Sequence, residues 1–421
     1  MPSSSQTNSG SIAIARMSFA LPHASLQHIV PVAGLFHFQL QVLTMLILTY
    51  FGTPEELNSI SHWMTLLRID VRIWDAKRKT VKDFRACNSV FSTVLDAHVL
   101  ALYGSNYNAP DCETLLNLPA RHDWRKAVNR ISSHVHDTTY IRMLRRKPET
   151  ERDILYENSM LLVQHGLLYR EFSNAIAIGD TGTIEHCLSY FAVWLQSTGK
   201  FNYAVASAHI VTCLRKTWSQ DFREFWQDTC LVNSSGKGTG YVACDMLCEY
   251  LVRELKDLFQ HMSTDYLREV VATQILVFRE IRKNISRQCH ATDYGQHSAG
   301  INSWQNVRAI TSKLLGAQAF QHIPGRGSGP TPESPRRMVV DLYEAGLTKL
   351  STGACLEKYK TKIKKGGDFT GSGIRGGVHR VRGLCLDSDA ESEGSADEES
   401  SDEESSDEDE MEDVEEDEDT F

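Results

Sequence analysis

The charge of this chain is divided very unevenly along its length. From Asp387 to Phe421 the sequence contains 21 acidic side chains and neither lysine nor arginine. Such a block of like charges repels itself and offers too little apolar surface to form a core, so we predict a disordered acidic tail over residues 387–421. The preceding residues contain 33 acidic and 44 basic side chains, a net charge of about +11. Any fold must therefore be built by a basic body that ends before the tail.

Within the body, apolar residues recur at the spacing of an α-helix. The stretches that show this pattern are 35–47, 57–67, 81–103, 150–177, 184–195, 203–218, 242–259, 265–285 and 302–315. Sustained alternation of apolar and polar residues, which would indicate strands, is scarce. We therefore predict a mainly α fold, with a multi-helix globular body over residues 29–318 and a disordered, Ser-rich leader over residues 1–28.

Capping residues predict where two of these helices begin. Thr53, Pro54 and Glu56 fit a helix start, because proline is favoured in the first turn and a glutamate three residues after threonine completes a capping box. Asp180 is a candidate cap for the helix that follows it, and the alternative interpretation is a catalytic carboxylate. His98 lies among the apolar residues of its helix, where a hydrogen-bonded core histidine is commoner than a metal ligand.

Residues 319–386 are predicted to be a flexible linker, because Gly, Pro and Ser dominate residues 325–335 and basic side chains are frequent after Pro335. From Arg336 to Arg382 there are 11 basic and 4 acidic side chains. Lysine and arginine that neutralise phosphates release counterions, which makes this segment a candidate nucleic-acid contact. The candidate residues are Arg336, Arg337, Lys358, Lys360, Lys362, Lys364, Lys365, Arg375, Arg380 and Arg382. A solubilising linker, or a segment that pairs with the neighbouring tail, is the alternative interpretation.

Serines are interleaved with the acidic residues of the tail. Six of them have an acidic residue three positions downstream and are candidate phosphorylation sites: Ser388, Ser395, Ser400, Ser401, Ser405 and Ser406. The tail is a candidate binding site for basic chromatin proteins such as histones, or for the basic linker of the same chain. A solubility tail without a specific partner is the alternative interpretation.

Sequence signals for a reaction are weak. A nuclease or transposase site needs carboxylates that bind two metal ions, and the candidates are Asp70, Asp75, Asp96, Asp180, Asp245 and Glu249. Only Asp245 and Glu249 have a helpful spacing, because residues four apart share one face of a helix. The cysteines and the Gly-rich loop 236–240 fit neither zinc nor phosphate-loop patterns. We therefore expect no metal and no cofactor, leave the catalytic residues unknown, and favour a protein that is not an enzyme.

The sequence also indicates the cellular compartment in which we expect the protein. No basic-then-apolar leader opens it, and its ten cysteines show no short regular spacing, so we expect a reduced, intracellular protein. Residues 17–54 lack charged side chains, but only Val42–Phe51 is nearly free of polar ones. Because a membrane-spanning helix needs about 20 apolar residues, we predict a buried core helix here and no membrane contact.

Several segments together resemble a known family. They are Pro31-Val-Ala-Gly-Leu-Phe-His-Phe38, the helix that ends in Ala-Ile-Gly-Asp180-Thr-Gly, the block Phe191-Ala-Val-Trp-Leu-Gln-Ser-Thr-Gly-Lys-Phe-Asn-Tyr203-Ala, and Leu231-Val-Asn-Ser-Ser-Gly236 followed by Cys244-Asp245. In this order, over residues 29–318, they resemble a fungal family known only as domain of unknown function 6589. The resemblance implies no particular activity, but it implies a link to mobile elements. It also implies an upstream segment similar to Gly-Asp-Gln-Leu-Thr, which this sequence lacks, as in a shortened copy or a gene with a missed start.

We interpret the chain as a non-enzymatic helical protein, derived from a mobile element, that contacts nucleic acid or chromatin in the nucleus through its basic and acidic C-terminal segments. One alternative is a degenerate transposase-like nuclease of the DDE type, which requires the candidate carboxylates to meet in one cleft. Another is a helical scaffold for protein partners, which an exposed apolar patch would favour. The sequence leaves the oligomeric state open.

Overall fold

The computed structural model describes seven stretches of the chain. They are residues 32–69, 73–75, 80–117, 124–136, 138–258, 303–327 and 337–352, together with six isolated helical positions between 274 and 284. The predicted leader, most of the helix predicted over 265–285, the basic residues after Thr352 and the acidic tail lie outside the described residues.

The described residues form a mainly α-helical globular body, which confirms the predicted fold class. Their α-helices are α1 (Leu35–Tyr50), α2 (Ile60–Leu66), α3 (Phe84–Asn106), α4 (Cys112–Leu116), α5 (Trp124–His136), α6 (Thr138–Arg145), α7 (Ile154–Ile178), α8 (Thr181–Ser197), α9 (Phe201–Thr212), α10 (Gln220–Thr229), α11 (Cys244–Leu258), α12 (Trp304–Gly316) and α13 (Leu342–Ser351). Strands in this part of the chain are confined to two antiparallel hairpins, β1 (Trp74–Asp75) with β2 (Thr80–Val81) and β3 (Leu231–Val232) with β4 (Val242–Ala243).

Helices α1 and α7 lie at the centre of the core. Nine of the 16 residues of α1 are buried, and a helix that is apolar around most of its circumference is stable only when other elements surround it. α1 packs against α3, α7, α8 and α11, and α7 packs against α3 and α8. Leu35–Tyr50 of the uncharged stretch is therefore a core helix, as predicted. Among the described residues, no helix is both long and apolar enough to cross a membrane.

His98 is a core residue, as predicted. Its side chain is fully buried in α3, and its Nδ1 lies 2.7 Å from Val94 O. Burial lowers the pKa of the imidazole to about 4, so His98 is neutral in the folded protein at ordinary pH.

Five aspartates cap the described helices that follow them: Asp83, Asp111, Asp153, Asp180 and Asp341. A side-chain oxygen of Asp83, Asp153 or Asp180 accepts a backbone N–H in the first turn of α3, α7 or α8. Asp180 Oδ1 lies 3.0 Å from Thr183 N, which confirms the predicted capping role. Each cap satisfies one of the N–H groups that a helix start leaves without a partner.

The helix predicted to begin at Thr53 begins six residues later, and this prediction is wrong in position. Ser59 caps α2, with its hydroxyl oxygen 3.0 Å from His62 N. Glu56 does accept a hydrogen bond from Thr53 N at 3.4 Å, as a capping box requires. Its carboxylate also pairs with Arg337, which comes from the far end of the described chain. Between Thr53 and Ser59 the backbone forms turns, with Glu56 N donating to Thr53 O at 3.2 Å and Ser59 N donating to Glu56 O at 2.9 Å.

The structure corrects the predicted flexible linker in two described parts of residues 319–386. Residues 319–327 continue from α12 into the body, where Arg326 forms a salt bridge with the fully buried Asp153. Residues 337–352, which we call the arm, form an extended stretch followed by α13. Val339 and Leu342 of the arm are buried. The polar composition of residues 319–386 predicts a flexible linker. Residues 319–327 and the arm are nevertheless bound to the body, because charged and polar side chains of the body pair with them.

Helices α4, α5, α6, α10 and α13 were not predicted from the sequence. The apolar residues of α5 and α6 lie on one face of each helix, and Val135, Ile141 and Leu144 among them are buried. Basic and polar side chains make up most of the remainder of both helices. This one-sided distribution is typical of an amphipathic helix, and it docks both short helices on the larger core.

Candidate functional site at the start of helix α1

Segments that are far apart in the sequence meet at the first turn of α1. The β3–β4 hairpin leads directly into α11, and Asp245 of α11 reaches back to α1. The last turn of α7 contacts the same hairpin, since Tyr241 N donates to Ala177 O at 3.1 Å. Tyr203 of α9 packs edge-on against Phe38, with ring centroids 5.9 Å apart. All the segments that carry the family resemblance therefore contribute to this site, which we call the α1 junction.

Asp245 caps α1 from another helix. Its carboxylate oxygens accept hydrogen bonds from Phe36 N at 3.0 Å and from His37 N at 3.1 Å. The residue at the usual capping position is Gly34, which makes no side-chain hydrogen bond. An anionic side chain is favourable here, because the first turn of a helix has N–H groups without partners and carries the positive end of the helix dipole.

The approach of Asp245 depends on Gly34 lacking a side chain. A Cβ atom at Gly34 would overlap with the carboxylate of Asp245. Any other residue at this position would push the carboxylate away from the N–H groups that it caps. Glycine at this position is therefore required by close packing between two segments.

His37 and Asp245 form a hydrogen-bonded pair. His37 Nδ1 lies 2.8 Å from Asp245 Oδ2. This hydrogen bond raises the pKa of His37, against the opposing effect of burial. Burial by itself raises the pKa of Asp245, but the hydrogen bonds from His37 and from the backbone of α1 lower it below its usual value. The side chain of His37 is 40% exposed, so the imidazole is in contact with solvent.

These pKa shifts predict a pH window in which the pair is most stabilising. A raised pKa means that the contribution of His37 is complete below about 6.5 and is lost as the pH rises through the folded value. A lowered pKa means that the contribution of Asp245 is complete above about 3.8 and is lost as the pH falls through the folded value. We expect His37→Gln to lower the free energy of unfolding by about 1 kcal/mol within this window, because the pair is partly exposed.

Urea denaturation of the wild type and His37→Gln at about pH 5.5 and about pH 9 tests this expectation. Glutamine can still donate a hydrogen bond to Asp245 but does not titrate, so the difference between the two proteins should nearly vanish at the higher pH. The same difference at both pH values would show that the charge of His37 contributes nothing.

The α1 junction offers limited chemistry. A histidine held by a carboxylate can act as a base, but a reaction also needs a nucleophile or a metal beside it. Within the described part of the chain, no three His, Cys, Asp or Glu side chains gather in a group that could hold a metal ion. The seven described cysteines are free, and burial raises the pKa of Cys187 and Cys230 to about 12, so these two remain thiols.

The carboxylates proposed for a nuclease site have other tasks. Asp180 caps α8, and Asp245 is turned towards α1. Glu249, four residues after Asp245, acts on His37 through its charge. The remaining candidates have partners of their own or are not described: Asp96 pairs with Arg170 at 2.6 Å, Asp75 pairs with Lys82 at 3.6 Å, and Asp70 lies outside the described residues. These roles give the transposase-like alternative no support.

Of the ten candidate nucleic-acid contacts, Arg337 alone lies among the described residues. Its guanidinium donates to Thr49 O at 2.7 Å and to Glu56 Oε2 at 3.2 Å. The side chain of Glu56 is 3% exposed, so Arg337 neutralises a buried carboxylate. This pairing removes Arg337 from the candidate surface charges. The other nine candidates and the six tail serines lie outside the described residues and stay predictions.

These observations define a class of protein: a mainly α-helical body whose central helix is capped by a carboxylate from a distant helix. A family model described as "Family of unknown function (DUF6589)" matches residues 10–297, and the chain belongs to that family. No curated protein and no solved structure matches the chain. The matched range contains the whole α1 junction, whereas α12 and the arm, which complete the same core, lie beyond it.

Proposed function

We propose that this chain is a non-enzymatic helical protein, derived from a mobile element, that contacts nucleic acid through the basic residues after the arm and basic chromatin proteins through its acidic tail, in the nucleus. The observation that carries the proposal is the separation of charge. Residues 353–382 have 8 basic and 2 acidic side chains, and residues 387–421 have 21 acidic and no basic ones. The resemblance to a fungal family linked to mobile elements supports the origin.

The arm supports the proposal because the chain leaves the body from a fixed position. α13 ends at Ser351, and Lys349 Nζ donates to Ser197 O at 2.8 Å. The first of five closely spaced lysines, Lys358, follows six residues after Thr352. A dense group of lysines tethered to a folded body suits contact with a phosphate backbone, where each neutralised phosphate releases counterions.

The test replaces the five lysines by glutamine in the full chain: Lys358, Lys360, Lys362, Lys364 and Lys365. Binding of a short fluorescein-labelled DNA duplex is measured by anisotropy over a series of salt concentrations. We expect the slope of log affinity against log salt to fall by about 0.9 for each lysine that contacts a phosphate, and the affinity at low salt to fall by about tenfold or more.

A matched control removes the same number of charges from the body. It replaces five described lysines by glutamine: Lys126, Lys147, Lys216, Lys237 and Lys313. This control should keep most of the affinity. An equal loss in both variants, or binding that does not depend on salt, would contradict the proposal.

For the tail, deletion of residues 387–421 should abolish the capture of purified histones by the full chain.

A helical scaffold for protein partners is the second candidate. The observation that favours it is an open groove of about 480 Å³ between α3, α5 and α12. The groove is lined mainly by apolar residues, among them Val128 and Trp304, which are 53% and 52% exposed. Exposed apolar patches often mark protein interaction sites. If the five-lysine variant binds DNA as tightly as the wild type, the scaffold becomes the preferred function.

A further inference from the structure

Three of the seven described cysteines lie where the β3–β4 hairpin joins its two flanking helices. Cys230 follows α10 and precedes β3, Cys244 is the first residue of α11, and Cys248 lies about one turn further along α11. Cys230 and Cys244 are partly buried, and Cys248 is exposed. We call these three residues the thiol cluster. Asp245, which caps α1, directly follows one of them.

Cys230 and Cys244 lie opposite each other at the end of the hairpin ladder. The ladder pairs Leu231 with Ala243, so the next position outwards pairs Cys230 with Cys244. Cys244 N donates to Cys230 O at 3.0 Å, which shows that their backbones are paired. Hydrogen-bonded positions of antiparallel strands have Cα atoms about 5.5 Å apart, and a disulfide needs a separation of about 4.4–6.8 Å. The backbone therefore holds these two residues at the separation of a disulfide.

Cys248 extends this pair along α11. Cys244 and Cys248 share one face of the helix, because residues four apart are neighbours on its surface. Burial raises the pKa of Cys244, and the charges of Cys248 and Asp245 raise it further. Burial also raises the pKa of Cys230 to about 12, and the charge of Cys244 adds to this rise. Each thiol is thus within electrostatic reach of the next, in the order Cys248, Cys244 and Cys230.

Of the two possible disulfides of Cys244, the one within α11 is the more strained. Cβ atoms four residues apart on a helix are separated by about 5–6 Å, whereas those of a disulfide are about 3.5–4.5 Å apart. Opposite Cβ atoms of a hairpin are about 4.5–5.5 Å apart, which is closer to the required distance. Because strained disulfides exchange readily, a disulfide between Cys244 and Cys248 should pass to Cys230 and Cys244.

We propose that the thiol cluster is an oxidation site for hydrogen peroxide, in which Cys248 reacts first and a disulfide between Cys230 and Cys244 is the product. The sulfur of Cys248 attacks one oxygen of the peroxide, the O–O bond breaks, and a sulfenic acid and one water are formed. The sulfur of Cys244 then attacks the sulfenic sulfur, and the hydroxyl group leaves with the thiol proton as a second water.

The last step is a thiol–disulfide exchange. The sulfur of Cys230 attacks the sulfur of Cys244, and Cys248 leaves as a thiolate that takes the proton of Cys230. Two thiols and one peroxide thus give one disulfide and two water molecules, and Cys248 is recovered as a thiol.

The exposure of the thiols sets the order of these steps. Redox-sensing cysteines are accessible to solvent and lie beside a second, resolving cysteine, and Cys248 has both properties. Cys187 and Cys213 are buried, and burial raises their pKa to about 12 and about 11, so we expect them to stay reduced. Cys230 reacts in spite of its raised pKa because its target is a sulfur held beside it. The proposal does not depend on nucleic-acid binding.

Mass spectrometry of the full-length chain after treatment with hydrogen peroxide tests the proposal. Free thiols are alkylated with iodoacetamide, and the chain is digested with trypsin without reduction. Trypsin places Cys230 on peptide 224–237, and Cys244 and Cys248 on peptide 238–253. We expect the two peptides to be joined by one disulfide, with Cys248 alkylated, and to separate after dithiothreitol. On a non-reducing gel the treated protein should keep the mass of one chain.

Full-length variants check the order of the reaction. Cys248→Ser lacks the thiol that the peroxide reaches first, and it should form the disulfide at least about tenfold more slowly than the wild type. Cys213→Ser is the matched control, because it removes a described cysteine outside the thiol cluster, and it should react at the rate of the wild type.

Peptides that stay separate after the treatment overturn the proposal. The same holds for a lasting disulfide between Cys244 and Cys248 within peptide 238–253, for a disulfide that joins two chains, and for an equal rate in Cys248→Ser and the wild type. The first three results come from the wild-type chain, so the test does not depend on the folding of a variant.

Discussion

A chain that ends at Pro335 is expected to lose its folded structure, whereas a chain that ends at Thr352 is expected to keep it. The arm contributes Val339 and Leu342 to the core, and burying a side chain of this size stabilises by about 1.5–3 kcal/mol. Its removal also takes the partners from the polar groups of the body that bind it, at about 1 kcal/mol for each hydrogen bond lost. The total approaches the whole stability of an ordinary domain, about 5–15 kcal/mol.

Urea denaturation followed by circular dichroism compares the full chain with the two shortened ones. We expect the full chain and the chain ending at Thr352 to unfold at the same urea concentration, because both keep all the described helices. The chain ending at Pro335 should show a much lower midpoint or no cooperative transition. A Pro335 chain as stable as the full protein would mean that the arm adds nothing to the body.

A matched pair of point variants separates the arm's packing from the effect of shortening the chain. Leu342 is fully buried at the start of α13, and Leu347 of the same helix is 43% exposed. Leu342→Ala should cost about 2–5 kcal/mol, and Leu347→Ala should change the stability by less than about 1 kcal/mol. Similar losses at both positions would indicate a general weakness of α13 rather than the loss of a core contact.

Local signals made part of this fold predictable from the sequence. α1 was predicted because a long uncharged run with helical spacing has to be buried. The start of α8 was predicted because Asp180 is a strong capping residue for the helix that follows it. In each case the residues that carry the signal lie within a few positions of the element that they define.

Contacts between distant residues made the rest unpredictable. Arg337 and Glu56 are 281 positions apart, and Asp245 caps α1 from 209 positions away. The sequences around Arg337 and Asp245 resemble those of solvated surface segments. From the sequence, the arm was therefore predicted to belong to a flexible linker, and Asp245 to lie on the face of a helix. One signal was present at the α1 junction: Gly34 leaves a long apolar helix without a cap of its own, which requires a partner from elsewhere.

Glu157→Ala is expected to be strongly destabilising, by about 3–5 kcal/mol. Glu157 is fully buried in α7, where its carboxylate accepts hydrogen bonds from Arg152 Nε at 3.0 Å and from Arg152 Nη2. Arg145 Nη1 lies 4.0 Å from the same carboxylate. Arg152 is 7% exposed, so removal of the carboxylate leaves a guanidinium inside the protein without an anion. The unpaired charge, rather than the lost side-chain volume, sets the size of the effect.

Two further variants distinguish the charge from the packing. Glu151 lies on the surface, 58% exposed and 3.8 Å from Lys147, and Glu151→Ala should change the free energy of unfolding by less than about 1 kcal/mol. The double variant Glu157→Leu with Arg152→Met replaces the buried pair by apolar side chains of similar volume, which is often neutral or stabilising. It should therefore recover much of the stability that Glu157→Ala loses in urea denaturation. If the double variant is as unstable as Glu157→Ala, the loss does not arise from the guanidinium of Arg152. It then arises from disrupted packing around α7 or from Arg145, which keeps its charge in this variant.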